Sequence, residues 1–555
     1  DLLNVGTATF RRVFEVFRCQ TRGVIVSPKS PRVWKISPKW LWKKDYEQAL
    51  KTHMAFPQQY LNTTDEDIQG FTTIYGRFLH FLKKRFLRKE KYGIRLTIGV
   101  LLTMFFVFLF LSILQDYRAY DPLVRADTRI VNLIYTFRSE TLNNVMLLFT
   151  SIATWHIVFL ALIVIGFSLF ALNLLPYLWA LIISAGGGEI VYLVIKNLVQ
   201  RPRPPSISAL ISAHGFSFPS GHTFVAFSFY GLLAYIIYRT SVKKIWKISA
   251  IIGGIAIVGI IGVSRVYLGV HWPSDIFASF MLGAAWLTLL ITMLELYKKT
   301  SWKKESMALI GKKFIIVPTM ILSLFWLAYM GYFFRTYSFA PQIAIIQNPV
   351  YIQEANIPDD LFATLPTSSE TLSGLPMEPI NIVIVGNYHE LIDTFTSAGW
   401  VQPEPLTPAT SLHNIIASIL NEPYPQAIEA PAFWNSRPND FAFQLPTATI
   451  RQRHHIHFWT TPLFTDHGHH VWFATAHFDK DIKLKTVMPT HTIDPYVDNE
   501  REMIKQDILK TGRVNLIEKF QIAQPGKGKN FAGDAFVTDG NAYVLFLKDD
   551  LMSTL

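Results

Sequence analysis

The sequence predicts an all-α polytopic membrane helix bundle, a six-helix core plus a seventh span, followed by a soluble mixed α/β domain. Three observations predict it. Half of the 555 residues are hydrophobic, 14% are aromatic and only 17% are charged, which is apolar for a chain surrounded by water. Seven apolar runs reach or approach the length that crosses a bilayer. After Phe334 the composition shifts to proline, threonine, asparagine, histidine and alternating apolar residues, as in a domain outside the membrane.

Residues 1–92 form a basic segment, expected to be cytoplasmic, with Lys and Arg set among tryptophans, as in Arg32-Val33-Trp34-Lys35 and Trp40-Leu41-Trp42-Lys43-Lys44. Such a mixture favours an anionic lipid surface. No long amphipathic period accompanies it, so a solvated extension explains the segment as well. No signal peptide with a cleavage site is present, and because no methionine opens the chain, a fragment or a processed start is expected. Cys19 is the single cysteine, which excludes an intrachain disulfide and a multi-thiolate metal site.

The apolar runs are Leu96–Leu114, Trp155–Leu172, Leu175–Ile195, Thr223–Tyr238, Ile248–Val263, Asp275–Tyr297 and Phe314–Phe334. Six fall in a core at 93–300. The seventh follows a loop within 301–337. Cationic clusters orient them, because Lys and Arg accumulate on the cytoplasmic side. Lys83, Lys84, Arg85, Arg88, Lys89, Lys91 and Arg95 precede the first span. Arg239, Lys243, Lys244 and Lys247 join the fourth to the fifth, and Lys298, Lys299, Lys303, Lys304, Lys312 and Lys313 join the sixth to the seventh. If every run crosses, all three clusters share the cytoplasmic side. The third span contains Gly186-Gly187-Gly188-Glu189. Its glycines allow close helix packing. Glu189 either serves the face it shares with Lys196 or is neutralised by a polar neighbour.

Three short segments fall at the opposite ends of these spans: Lys196 through Arg203-Pro204, Pro219-Ser220-Gly221-His222, and Ser264-Arg265 with His271 and Asp275. Lys196, Arg203 and Arg265 offer cationic donors to phosphate oxygens. Ser220 and Gly221 offer a hydroxyl and closely approachable backbone N–H groups to developing negative charge. His271 and Asp275, four residues apart, suit a nucleophile and the carboxylate that orients it. His222 is then free to protonate a leaving oxygen. Basic groups at membrane-helix ends are common and explain one such cation, but not the whole set.

These segments resemble the signature of the type 2 phosphatidic acid phosphatase superfamily, which also includes the vanadium haloperoxidases. The pattern is Lys-x6-Arg-Pro, Pro-Ser-Gly-His and Ser-Arg-x5-His-x3-Asp, and every position is filled: Lys196, Arg203, Pro204, Pro219, Ser220, Gly221, His222, Ser264, Arg265, His271 and Asp275. The resemblance implies a six-helix membrane core in which His271 becomes a phosphohistidine held by Asp275. It makes His222 the general acid, and Lys196, Arg203, Arg265, Ser220 and Gly221 the phosphate-binding set, with Pro204, Pro219 and Ser264 in support. It implies no cofactor and no metal. Some relatives follow a DedA-type membrane domain, so Asp1–Cys19 is read as the tail of such a domain.

Residues 338–379 read as a proline-rich linker and 380–555 as the soluble domain, external by the parity of the spans. Strands are expected at Ile380–Val385, His454–Trp459, Val471–Phe478 and Asn541–Phe546, and helices at Tyr388–Ala398 and Asp498–Lys510. The domain resembles the LssY-type C-terminal domain through the Arg451–Trp459 stretch, Ala474–Asp479 and Asp498-Asn499-Glu500-Arg501. In a strand His455 and His457 share a face and His454 takes the other. With His467, His469, His470, His477 and Asp479 they invite a metal hypothesis. No metalloenzyme spacing such as a helical His-Glu-x-x-His supports it; the alternatives are a polar, partly buried strand pair with ordinary hydrogen-bonded histidines, and a module that binds headgroup or glycan near the active site.

The sequence therefore points to an integral-membrane phosphatase acting on a lipid phosphate or diphosphate, with the bilayer and its lipid as partners and no nucleic acid. Polyprenyl diphosphate, phosphatidic acid and phosphatidylglycerol phosphate are the candidate substrates, and the inner membrane with an external or periplasmic site is the expected location. A lipid phosphotransferase using the same site, and a secretion-associated component with secondary phosphatase activity, are the alternatives.

Overall fold

The computed structural model describes residues 24–25, 34–35, 93–205, 209–298, 313–336, 349–354, 365–485, 488–530 and 533–548. The chain divides at Lys83 into two compact units. Of the first, two paired two-residue strands, Val24–Ile25 and Trp34–Lys35, are described. Apart from those four residues, the basic segment 1–92 expected to lie on lipid or extend into solvent, including the Lys83–Lys91 cluster, lies outside the described residues, as does the basic loop 299–312.

In the second unit nine helices precede the sheets among the described residues. They are α1 (Ile94–Ala119), α2 (Pro122–Thr136), α3 (Glu140–Ile152), α4 (Trp155–Ala171), α5 (Leu175–Val199), α6 (Gly221–Thr240), α7 (Lys244–Tyr267), α8 (Pro273–Lys298) and α9 (Lys313–Thr336). Five of them, α1 and α5 to α8, are long and apolar enough to cross a membrane. The pair α3 and α4, bent by 51°, adds a sixth if it forms one span. The run expected as a seventh span forms the helix α9, packed on α4. Leu101, Met104, Phe105, Phe108 and Leu111 of α1 all face outward. Such a band is costly in water and neutral in lipid. The chain is thus a multi-pass membrane protein. Helices α2 and α3 fall between the first two apolar runs, where the sequence raised no span. Their moderate amphipathicity gives them one buried face, including Asp127 and Arg129 on α2 and Thr150 on α3.

Small residues set the helix spacing. A Cβ on Gly221 would lie 2.9 Å from the Tyr192 ring, and one on Gly188 would lie 2.9 Å from Phe224. Both glycines let α5 approach the start of α6 closely. The Gly186–Gly188 stretch also adjoins a π turn at Ile183–Gly187, which rotates the rest of α5. Glu189 emerges there beside Tyr192, whose hydroxyl donates to Glu189 Oε1 at 2.5 Å. The polar-neighbour reading of Glu189 therefore fits the structure.

The C-terminal domain is a mixed sheet flanked by helices. Its strands are β1 (Val350–Ile352), β2 (Ser368–Glu370), β3 (Pro376–Pro379), β4 (Ile382–Val385), β5 (Phe433–Trp434), β6 (Arg437–Pro438), β7 (Phe441–Leu445), β8 (Arg453–Thr465), β9 (His470–Lys485), β10 (Met488–Ile493), β11 (Val514–Gln521), β12 (Gly526–Lys529), β13 (Ala535–Thr538) and β14 (Asn541–Leu547). The main order is β11-β14-β4-β9-β8-β1, with β10 on β9 and β7 on β8. β4 runs parallel to β14 and β1 parallel to β8, while the remaining pairs are antiparallel. Helices α10 (Tyr388–Ser397) and α11 (Val497–Lys510) cover one face, where Leu391, Phe395 and Ile504 meet Ile456, Phe458 and Ala474. The stretch read as a linker, 338–379, carries β1, β2 and β3 instead. Pro376 and Pro379 stand at the two ends of β3.

α2 joins the two parts of this unit. Arg129 Nη2 donates to Glu370 Oε2 of β2 at 2.5 Å, and Asn132 Nδ2 donates to the Ser436 carbonyl at 2.7 Å.

Candidate active site

The three signature segments converge. Lys196 lies in the last turn of α5, His222 in the first turn of α6, Arg265 in the last turn of α7, and His271 and Asp275 at the entry to α8. His222 stands within electrostatic reach of Lys196, Arg203, Arg265 and His271. The sequence brings them together because every segment ends or begins a helix on one side of the bundle.

His271 is buried, and its two ring nitrogens have different partners. Nε2 is 3.2 Å from Arg203 Nη1, and Nδ1 is 3.3 Å from Asp275 Oδ2. A guanidinium can only donate, so Nε2 presents its lone pair and Nδ1 carries the proton toward the carboxylate. Burial, then the charges of Arg265, Arg203 and Lys196, hold His271 well below the ordinary imidazole range. The result is a neutral imidazole with an available nitrogen in a field of cations. Arg203 also donates to the carbonyls of Gly215, Val270 and His214 at 3.0, 2.7 and 3.1 Å. Those contacts fix its position without cancelling its charge.

Asp275 accepts from the Trp272 backbone N–H at 3.0 Å and from Arg201 Nη1 at 2.8 Å. Arg201, 4% exposed, also donates to Ser274 Oγ at 2.7 Å and to Asp127 Oδ2 at 2.6 Å. Sequence reasoning passed over both Arg201 and Asp127. Arg201 lies two residues before a signature arginine, and Asp127 sits on a helix that no apolar run announced. An acidic residue in a weakly polar helix was the available signal for Asp127.

Ser220 is fully buried. Its N–H donates to Ser279 Oγ at 2.7 Å and its hydroxyl accepts from Thr223 at 3.0 Å, which leaves its own O–H to donate. Gly221 opens α6, so its N–H points out of a helix N-terminus, a favourable place for an anion. Arg265 donates to Thr150 Oγ1 at 2.7 Å. Ser264 is buried with its hydroxyl on the Ile261 carbonyl, and Pro204 and Pro219 are buried beside the signature arginine and serine. Those three shape the backbone.

The profile of the PAP2 superfamily matches residues 173–299, which contain every one of these signature residues, and that of the LssY C-terminus matches 362–542. Phosphatidylglycerophosphatase B of Bacillus subtilis (strain 168) is 30% identical over 179 residues, 32% of this chain and 87% of that protein. The chain belongs to the PAP2 superfamily. An undecaprenyl-diphosphatase of Sulfolobus acidocaldarius is 35% identical over 80 residues, 14% of this chain and 34% of that protein. Among solved structures, the transmembrane PAP2 type phosphatidylglycerolphosphate phosphatase from Bacillus subtilis is 27% identical. That match covers 37% of this chain and 97% of the other, with a TM-score of 0.32. The PAP2 match makes this chain a phosphoric-ester hydrolase, and the second match gives it an LssY-type C-terminal domain.

The C-terminal histidines separate as strand alternation requires. His455 and His457 lie buried on one face, while His454 takes the other, with Nδ1 2.8 Å from Glu500 Oε2. His477, directly opposite His455 on β9, joins the first face with Asp479. His467 lies exposed near Glu354, and His470 donates to the Thr461 carbonyl at 2.7 Å, so neither joins them.

Proposed function

We propose that this PAP2 enzyme hydrolyses a lipid phosphate or diphosphate through a phosphohistidine at His271, at the external or periplasmic face of the inner membrane. The observation that carries the reading is the pair of contacts on His271, with Asp275 on Nδ1 and Arg203 on Nε2.

The lone pair of Nε2 attacks phosphorus while Lys196, Arg203, Arg265, the Ser220 hydroxyl and the Gly221 N–H take the non-bridging oxygens. The bond from phosphorus to the leaving oxygen breaks, and His222 gives that oxygen its proton. Water then attacks the phosphohistidine. His222 takes the proton from that water, phosphate leaves, and His271 regains its lone pair. Asp275 holds the imidazole tautomer throughout, and Arg201 with Asp127 holds Asp275.

Sidedness rests on the ends of α6 and α7. α6 carries His222 in its first turn and Arg239 in its last, and α7 carries Lys244 in its first turn and Arg265 in its last. A 20-residue helix is about 30 Å long, so the signature and the basic loop lie roughly one hydrocarbon thickness apart. Basic loops stay cytoplasmic, which puts the signature outside. There it meets a lipid whose phosphate stands at headgroup depth while its chains remain between the spans. Polyprenyl diphosphate, phosphatidic acid and phosphatidylglycerol phosphate all have that form.

The test is phosphate release by detergent-purified protein against these three lipids. His271→Ala is expected to lower turnover by on the order of 10⁴-fold or more and to remove an acid-labile phosphoenzyme. A phosphoenzyme that survives in the variant takes the nucleophile role from His271.

A further inference from the structure

We propose that the LssY-type domain holds a divalent transition-metal ion, ligated by His455 Nε2, His477 Nε2 and Asp479 Oδ1.

The strand register builds the site. Arg453 and Asp479 are cross-strand partners on β8 and β9, as are His455 and His477. Residues two apart on one strand share a face, and so do direct partners on neighbouring strands. Two imidazoles and a carboxylate are thereby delivered to one buried patch: His455 is 4% and Asp479 1% exposed. The ring nitrogens meet head on, with His455 Nε2 2.6 Å from His477 Nε2. Two lone pairs cannot face each other at that distance unless a positive charge lies between them. Asp479 Oδ1 lies 3.9 Å from the same His477 nitrogen and has no hydrogen-bond partner.

The surrounding groups leave these three atoms for a ligand. Arg453 Nη2 is 2.9 Å from His491 Nε2, so that nitrogen must accept. His491 Nδ1 stands 3.1 Å from Asp479 Oδ2 without making a hydrogen bond, so both buried oxygens of Asp479 lack a hydrogen-bond partner, and Oδ1 is the one near His477 Nε2. Arg453 Nη1 also pairs with Glu429 Oε1 at 2.9 Å, and Glu429 Oε2 stands 3.3 Å from His455 Nδ1. A carboxylate on one imidazole nitrogen directs the lone pair of the other nitrogen outward, the arrangement found behind metal-ligating histidines.

A shared proton would satisfy the two nitrogens and nothing else. A metal ion satisfies the nitrogens and the orphaned carboxylate oxygen together. Two histidines and one carboxylate leave coordination positions open and suit iron, manganese or zinc in the divalent state. Bonds of about 2.1 Å put two ligand nitrogens roughly 3 Å apart, so loading opens the imidazole pair by a few tenths of an ångström, a small ring rotation. His457, with Glu429 and His455, forms a neighbouring group on the other side of the His455 ring. It lacks the converging nitrogen pair and is not assigned as a ligand.

The full chain, purified in detergent and stripped with chelator, is reloaded separately with Zn²⁺, Mn²⁺ and Fe²⁺, desalted, and assayed for bound metal by mass spectrometry. About one equivalent of at least one ion is expected in the parent, as a preformed site requires. His477→Ala and Asp479→Ala are expected to lose it. His454→Ala, on the opposite face of the same strand, is expected to keep it. Glu429→Gln is expected to weaken the affinity roughly 10–100-fold. A spectroscopic arm avoids variants: Cu²⁺ loaded into the parent should show nitrogen hyperfine coupling from coordinated imidazoles. A parent that retains none of the three ions and shows no such coupling overturns the proposal in favour of a proton-bridged pair. Metal lost in His457→Ala but kept in His477→Ala also overturns the ligand assignment.

Discussion

The membrane site and the buried patch of the C-terminal domain use the same residue types with opposite charge logic. At the membrane site Arg203 is fixed by three backbone carbonyls, so its charge stays available. In the patch Arg453 is paired with Glu429, and the imidazoles stand beside Glu429 and Asp479. The first arrangement concentrates positive potential and awaits an anion. The second balances its cation internally and leaves acceptor atoms over. A histidine beside an aspartate therefore reveals little until the partners of the cations are known.

That contrast can be broken most severely in the patch. Glu429→Leu, in chelator-treated protein, removes the carboxylate that compensates Arg453 and His455. It should cost the C-terminal domain about 3–5 kcal/mol, read by chemical unfolding followed through domain tryptophans. A smaller loss, under about 1 kcal/mol, would mean that water reaches the patch and that its balance is incidental.

Arg201→Met tests a cation of the membrane site that pairs with two carboxylates. It strands Asp127 and Asp275, so a comparable loss of about 3–5 kcal/mol is expected. Because Arg201 positions Asp275 and touches no substrate, kcat should fall with little change in KM, and Arg201→Lys should recover part of it. A pure rise in KM would instead put Arg201 in the phosphate-binding set.

Arg203→Leu should behave in the opposite sense. Turnover should fall by on the order of 10²–10³-fold, while stability should fall by less than in Arg201→Met, because hydrogen bonds are lost but no counter-charge is stranded. Marked destabilisation would show that Arg203 is a structural cation like Arg453.

The smallest effect is on pH dependence. Burial and the three neighbouring cations lower the pKa of His271 below its usual 6.5, so the nucleophile stays neutral as pH falls through that value. The acidic limb of kcat/KM should therefore lie below pH 6.5 and move upward in Arg203→Leu. A limb that ignores the substitution would show that Arg203 exerts no field at His271.

Much of this was legible in the residues. Hydrophobic run length located α1 and α4 to α9 because a helix in lipid must be apolar along its whole length, whatever it packs against. The signature named residues that the fold gathers at one side of the bundle, because each is tied to its helix end by local spacing. Strand alternation separated His454 from His455 and His457 for the same local reason. α2 and α3 escaped notice because their amphipathic sequence gains stability only from neighbours that the chain supplies elsewhere. The prolines of 338–379 disguised three strands because proline is tolerated where a ladder ends, and only pairing decides where that is.

By itself the sequence determined the apolar helices, the signature residues that stand at their ends and the alternating faces of the histidine strand, all properties of neighbours along the chain. Tertiary structure alone decided that Arg201 and Asp127 hold Asp275. It alone decided that Glu370 of the C-terminal domain meets Arg129, two residues from Asp127 on the same helix. It also brought Glu429 and His491 to His455 and Asp479 from separate segments. Those contacts join residues on separate elements, up to 241 positions apart, and their energies depend on burial and on which charge stands next to which, neither of which exists until the chain has folded.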